Sequence, residues 1–218
     1  LLQQTKNCMR SGQLKLAKSS MRELAFISLF IFLSFVSMAQ KTDVEKIDID
    51  LTQSKLEWTG KKLGGEHYGE IQLTSGYLTF TKKKLTGGTF EMDMTSITCV
   101  DITDAKSNKR LVDHLKSEDF FSVARFPKST LTITKVESKS ATEYLVTGDL
   151  TIKSKTNPIT FTAKINTIGN QTIAEAALVF DRSKYDVRFG SQSFFENLGD
   201  KLVYDDVDIR VKLVAITK

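Results

Sequence analysis

The chain has 218 residues, 31 basic and 26 acidic side chains, and a formal charge of +5. Its 40% apolar content, 12 glycines and two prolines exclude a disordered tail, a collagen-like repeat and a linker-rich array, leaving one domain as the expectation. Two cysteines and two histidines exclude a disulfide framework, a Cys-based zinc site and a three-histidine site, so metal chemistry would have to rest mostly on carboxylates; neither a metal nor a cofactor is expected.

In chain order, residues 1–20 resemble neither a leader nor a domain and read as a non-native upstream extension ahead of a start at Met21. Residues 24–36 carry no charge and lie between Met21-Arg22 and Ser37-Met38-Ala39-Gln40. A spanning helix needs about 20 apolar residues, whereas a shorter run behind a basic start and ahead of a small-x-small site reads as a secretory signal. The expectation is a signal peptide over residues 21–39, a single domain over 40–218, and a periplasmic or secreted location. Residues 1–39 together hold Lys6, Arg10, Lys15, Lys18 and Arg22 against Glu23 alone, so the rest of the chain is nearly neutral. That removes the compositional argument for nucleic acid. The remaining basic run, Lys82-Lys83-Lys84, has no interleaved aromatics and reads as a solvated turn.

Beyond Gln40 the apolar period is two. Ile47, Ile49 and Leu51 alternate with polar residues, as do Leu56 and Trp58, Ile71 and Leu73, Leu78 and Phe80, and Phe90, Met92 and Met94. Leu131 with Ile133, Tyr144 with Val146, the run from Ile159 to Ile165, Ala176 to Phe180 and Val207 to Ala215 continue the pattern. Such alternation means antiparallel sheet with one apolar and one wet face. Turn signals at residues 82–88, 155–158 and 169–170 fit hairpins. About eight strands then suggest an all-β, closed up-and-down barrel or a sandwich, because closure removes exposed edges. Residues 104–121 break the rule: Leu111 and Leu115 stand four apart, which predicts one short helix capping an end of the sheet.

Chemistry has few candidates. No nucleophile elbow, phosphate loop or metalloprotease motif occurs, and His67 and Tyr68 would point to opposite faces of a strand. Cys99 has no histidine nearby in sequence and reads as packed. No catalytic residue and no enzyme activity is therefore expected. Phe120, Phe121, Phe126, Phe189, Phe194 and Phe195 instead concentrate near the helix and the loops, and barrels of about eight strands can enclose an elongated ligand.

Four stretches carry a family resemblance. Trp58-Thr59-Gly60-Lys61 precedes Gly65, His67 and Gly69; Leu115-Lys116-Ser117-Glu118-Asp119-Phe120-Phe121 precedes Arg125-Phe126-Pro127; Val146-Thr147-Gly148-Asp149-Leu150-Thr151-Ile152 precedes Asn157-Pro158; and Asp181-Arg182 precedes Tyr185. In this order, over residues 51–215, they resemble the YceI-like family. The resemblance implies a closed, lipocalin-like barrel, exported, whose lumen holds a polyisoprenoid, an isoprenoid quinone or a fatty amide for transport, storage or stress protection. On that footing Trp58, Ile71, Phe90, Met92, Phe161 and Phe180 are expected in an apolar lumen, with Phe120, Phe121, Phe126 and Phe189 toward its mouth. His67, Asp181, Arg182 and Tyr185 are expected at a polar end, the alternative for Asp181 and Arg182 being a structural ion pair. The partner is then a small apolar ligand rather than nucleic acid, with transient membrane-surface contact and a homodimer both open. A lipid-headgroup-modifying enzyme and a ligand-free structural or interaction module are the competing expectations.

Overall fold

A computed structural model describes residues 43–216. The expected signal peptide, the upstream residues 1–20 and the start at Gln40 lie outside the described residues. Ten strands form one sheet in which every neighbouring pair is antiparallel: β1 (Val44–Asp48), β2 (Lys55–Lys62), β3 (Gly65–Glu70), β4 (Gln72–Thr81), β5 (Lys84–Asp93), β6 (Lys128–Ser138), β7 (Glu143–Ile152), β8 (Lys155–Ile168), β9 (Gln171–Asp181) and β10 (Val203–Ile216). The order β1-β4-β5-β6-β7-β8-β9-β10-β2-β3 curls into a half-barrel, with one short helix, α1 (Ala105–Lys116), between β5 and β6.

The count is ten rather than about eight because two stretches bend. Between β1 and β2 the Asp50 carboxylate accepts hydrogen bonds from the Thr52 amide and hydroxyl and the Gln53 side-chain amide, which turns the chain. As a result β1 lies on β4, while β2 lies on β10. Ile49 bridges Ala215, and the Asp50 amide donates to the Val214 carbonyl. Between β3 and β4 the Ile71 amide donates to Leu56 of β2.

The turns are shorter than the sequence pattern predicts. The β4–β5 turn is the pair Lys82-Lys83, both at positive φ (50° and 64°), the geometry that matches the twist of a two-residue hairpin. Residues 84–88 belong to β5 instead. Pro158 likewise sits inside β8 and not in a turn. It is tolerated because β8 meets β9 only from Ala163 onward, so no ladder bond is lost at the proline.

Helix α1 starts where Asp104 accepts a hydrogen bond from the Ser107 amide (2.8 Å), an N-cap that satisfies an otherwise orphaned donor. Asn108 ties it to the preceding loop through the Cys99 and Ile102 carbonyls. Leu111, His114 and Leu115, at three- and four-residue spacing, face the space enclosed by the sheet.

Candidate functional site

The concave face of the sheet encloses a cavity of about 330 Å3 whose walls are overwhelmingly apolar. Trp58, Ile71, Phe90, Met92, Phe161 and Phe180 line it, and Phe120, Phe121 and Phe189 line it as well. Phe126 does not. It follows a tight turn through Ser122, whose φ is 49°, and lies half-buried beneath the Arg125 guanidinium (5.2 Å). Phe194 and Phe195 are exposed and outside the lining.

Rings pack together along one margin of the cavity, where His114 meets Phe189 (4.5 Å) and Phe120 (5.0 Å) edge to face, while Phe120 and Phe189 lie 5.3 Å apart with their planes tilted by 35°. Edge-on contacts place the positive ring rim on the neighbour's negative face, which favours this arrangement over a stacked one. The space itself depends on small side chains within the alternating pattern. Ala163 faces Ala176 across the β8–β9 ladder, and Ala174 stands beside them.

The four polar candidates do not converge. His67 borders the cavity, and its Nδ1 lies 2.8 Å from Asp101 Oδ2. Asp101 Oδ1 accepts from the Tyr68 amide (3.0 Å) and the Cys99 thiol (3.2 Å). Burial works to raise the Asp101 carboxyl, but the bonds from His67, Tyr68 and Cys99 outweigh it and bring it down to about 2. Burial and the neighbouring Asp101 push the Cys99 thiol up. Sequence reasoning missed Asp101, which stands 34 positions from His67.

This triad is held by its backbone. The segment after β5 lies along β3, with the Thr98 amide donating to Glu70 and the Val100 amide to Tyr68. The Trp58 indole donates to the Thr98 carbonyl (3.1 Å). A Cβ on Gly69 would stand 1.9 Å from that same oxygen, so only glycine permits the approach.

Arg182 also borders the cavity, but the expected pairing with Asp181 is replaced. Asp181 accepts from the Ser183 amide and hydroxyl, capping the 3-10 turn Arg182–Tyr185. The fully buried Arg182 guanidinium donates to the carbonyls of Tyr204, Val187 and Val203. Its charge partner is Asp205, with Oδ1 at 3.2 Å but off the hydrogen-bonding direction. The other Asp205 oxygen takes the hydroxyls of Ser191 and Ser193. Burial lowers the Arg182 value, and the carboxylates of Asp205 and Asp181 oppose that. Tyr185 is buried edge-on to Phe180 (5.6 Å), outside the lining, with a hydroxyl that meets no protein partner among the described residues. Burial, then Asp181, pushes it up to about 12.

A profile of the YceI-like domain matches residues 48–215, nearly the whole of the described chain. The chain belongs to the YceI-like family. Its YceI-like domain is 32% identical over 126 residues to the UPF0312 protein YE1254 of Yersinia enterocolitica, covering 57% of this chain and 62% of the relative. Protein YceI of Escherichia coli O157:H7 is 35% identical over 98 residues, 45% of this chain and 48% of the relative. The matched region thus spans 48% to 62% of the length of these relatives. In structure, BcnA of Burkholderia cenocepacia superposes with a TM-score of 0.64 at 24% identity, over 77% of this chain and 99% of BcnA. A polyisoprenoid binding domain from Saccharophagus degradans, implicated in plant cell wall breakdown, gives 0.59 at 11% identity, over 81% and 100%. At these identities the likeness is one of fold.

Proposed function

We propose that the protein is an exported lipid carrier or store whose curved sheet holds a long apolar ligand of the polyisoprenoid, isoprenoid-quinone or fatty-amide class. The observation that carries this reading is the cavity of about 330 Å3, walled by aromatic and aliphatic side chains and bordered by a few polar groups. The polyisoprenoid-binding description of the Saccharophagus degradans domain agrees with it. The bridge from Ile49 to Ala215 and the bond from Ile71 to Leu56 support a ring of eight bent staves, in which β1 with β2 and β3 with β4 each count once. Such a ring leaves the ligand no open sheet edge.

The volume limits what fits. On the scale on which an apolar cavity of about 150 Å3 takes one benzene, this one takes roughly a dozen carbons, or two to three isoprene units. A longer tail has to displace the Phe120–His114–Phe189 contacts or extend past them. Burial of a dozen carbons contributes up to about 10 kcal/mol before the ordering costs of binding are deducted.

Binding is favoured over catalysis because the titratable groups serve one another. Asp181 is occupied by Ser183, and Asp205 by Arg182 and two serines. The reading is tested by native mass spectrometry of protein purified from its own host, together with uptake of isoprenoid probes. A bound lipid, or uptake that Phe161→Arg abolishes without unfolding the chain, is the expected result. An empty protein that refuses every probe overturns it.

A further inference from the structure

We propose that His67, Cys99 and Asp101 form a binding site for a thiophilic divalent cation of the zinc class, with three protein ligands and one coordination position open beside the cavity. Nitrogen, sulfur and oxygen donors from these side chains all lie within 4.8 Å of one another. The measured separations are 2.8 Å from Nδ1 to Oδ2 and 3.2 Å from Sγ to Oδ1. Around a tetrahedral zinc ion, with ligand bonds of about 2.0 to 2.3 Å, donor atoms stand roughly 3.3 to 3.8 Å apart. With all three donors already within 4.8 Å of one another, reaching that spacing takes shifts of about 1 Å or less.

Both of the short contacts are hydrogen bonds converging on one carboxylate. The imidazole N–H and the thiol S–H occupy the directions a cation would take, so metal entry sends the thiol proton to solvent and moves the proton of the neutral imidazole from Nδ1 to Nε2, one proton released per ion. A Cys, a His and an Asp together suit zinc, whereas the all-oxygen sets preferred by calcium and magnesium are not offered.

Preorganisation is the second strand of the argument. The donors come from β3 and from the loop that follows β5, and four constraints clamp these together: the Thr98 and Val100 backbone bonds, the Trp58 indole bond and the close approach at Gly69. Asn108 of α1 additionally holds the Cys99 carbonyl (2.8 Å). A site on clamped backbone does not have to be ordered when the ion arrives, which favours binding. Three protein ligands leave the fourth tetrahedral position for water or a ligand group, and His67, with its side chain 29% exposed, places it at the cavity margin. Composition alone argues against a metal, since two cysteines and two histidines are few. The fold brings one of each to the same carboxylate.

The test uses the full chain, stripped with chelator and titrated with cobalt(II) and then zinc. A thiolate-to-cobalt charge-transfer band at one equivalent, displaced by zinc, is the expected result. Cys99→Ser should remove the band, and His67→Gln and Asp101→Asn should each weaken zinc binding at least tenfold, because losing even an outer-sphere partner commonly costs tenfold or more. Cys8→Ser should leave the band unchanged. A folded protein with no band, a band that survives Cys99→Ser, or zinc affinity equal in all variants overturns the site. Should Cys99→Ser fail to fold, His67→Gln at the cavity margin decides the matter alone, by an affinity drop at an unchanged unfolding midpoint. Isoprenoid uptake, measured on the stripped protein, reports on the lipid reading separately.

Discussion

Ala176→Phe probes whether the enclosed volume sets ligand length. Ala176 lines the cavity opposite Ala163, and phenylalanine there adds six carbons pointing into empty space. On the scale of one benzene per roughly 150 Å3, this removes about half of the 330 Å3. Capacity falls from roughly thirteen carbons to roughly seven. A fifteen-carbon isoprenoid alcohol then loses burial of about six carbons and a ten-carbon one about three, worth up to ~5 and ~2.5 kcal/mol at about 0.8 kcal/mol each. With each 1.4 kcal/mol equal to tenfold, the preference for the longer probe should drop about eightfold even if half of the difference is recovered by relaxation. Calorimetric titration with both probes measures the ratio, and urea unfolding checks the fold. The midpoint should stay or rise, since the new ring fills a void and displaces no neighbour. A folded variant that binds the fifteen-carbon probe as tightly as the parent chain refutes the reasoning.

Gly69→Ala should cost at least about 3 kcal/mol in urea unfolding, because its Cβ would overlap the Thr98 carbonyl. Gly60→Ala, whose nearest neighbour is Trp58 at 3.8 Å, should be tolerated far better; equal costs would discredit the clamp. Arg182→Met should lose roughly 3 to 5 kcal/mol, since it strands Asp205 and three carbonyls, and a loss below about 1 kcal/mol would mean that Arg182 serves the ligand rather than the fold. Asp93 and Asp104 both cap turns or helices, and hydrogen bonds from Thr95 and Ser107 hold them below their ordinary 3.8. Their folded values lie under the unfolded ones, so their stabilisation is complete above the unfolded value of 3.8 and fades as pH falls through the lower folded values. Asparagine keeps the cap, so Asp93→Asn with Asp104→Asn should flatten the fall of the unfolding midpoint below the unfolded value of 3.8 while changing it little at pH 7. An unchanged acid limb would rule these caps out as its source.

Much of the sheet is legible because burial on one face imposes a period of two, and that period survives in residues such as Phe90, Met92, Phe161 and Phe180 without any knowledge of the partners. What is not legible arises from contacts between distant segments. The sequence pattern places the β4–β5 turn too widely, because Lys84 to Gly88 carries turn-like composition yet is paired across β4. The alternation of Ile47, Ile49 and Leu51 hides the bend at Asp50, which a side-chain hydrogen bond makes and no hydrophobic pattern records. Arg182 shows the same limit. Its neighbour in sequence, Asp181, is the obvious partner, but a carboxylate one residue away that is already capping Ser183 loses to Asp205, brought alongside by β10.

The cavity itself is best understood as a cost that something must offset. At about 24 cal/mol per Å3, the figure for voids left by truncating buried side chains, 330 Å3 of unfilled apolar space corresponds to roughly 8 kcal/mol. That is comparable with the whole net stability of an ordinary domain. A few substitutions would remove much of it, since Ala163, Ala174 and Ala176 are small residues on strands that readily accept larger ones. A chain could thus become more stable by filling the space, and the alanines keep it open. Function supplies the missing term: a ligand that buries itself there restores the dispersion contacts that the walls lack and stabilises the folded form in proportion to its affinity. Of the mutually packed rings of His114, Phe120 and Phe189, His114 and Phe189 are partly exposed, which places this contact at the solvent margin rather than in the middle of the void. The division between a small-residue wall that creates room and an aromatic margin that guards it is what distinguishes a container from a poorly packed core.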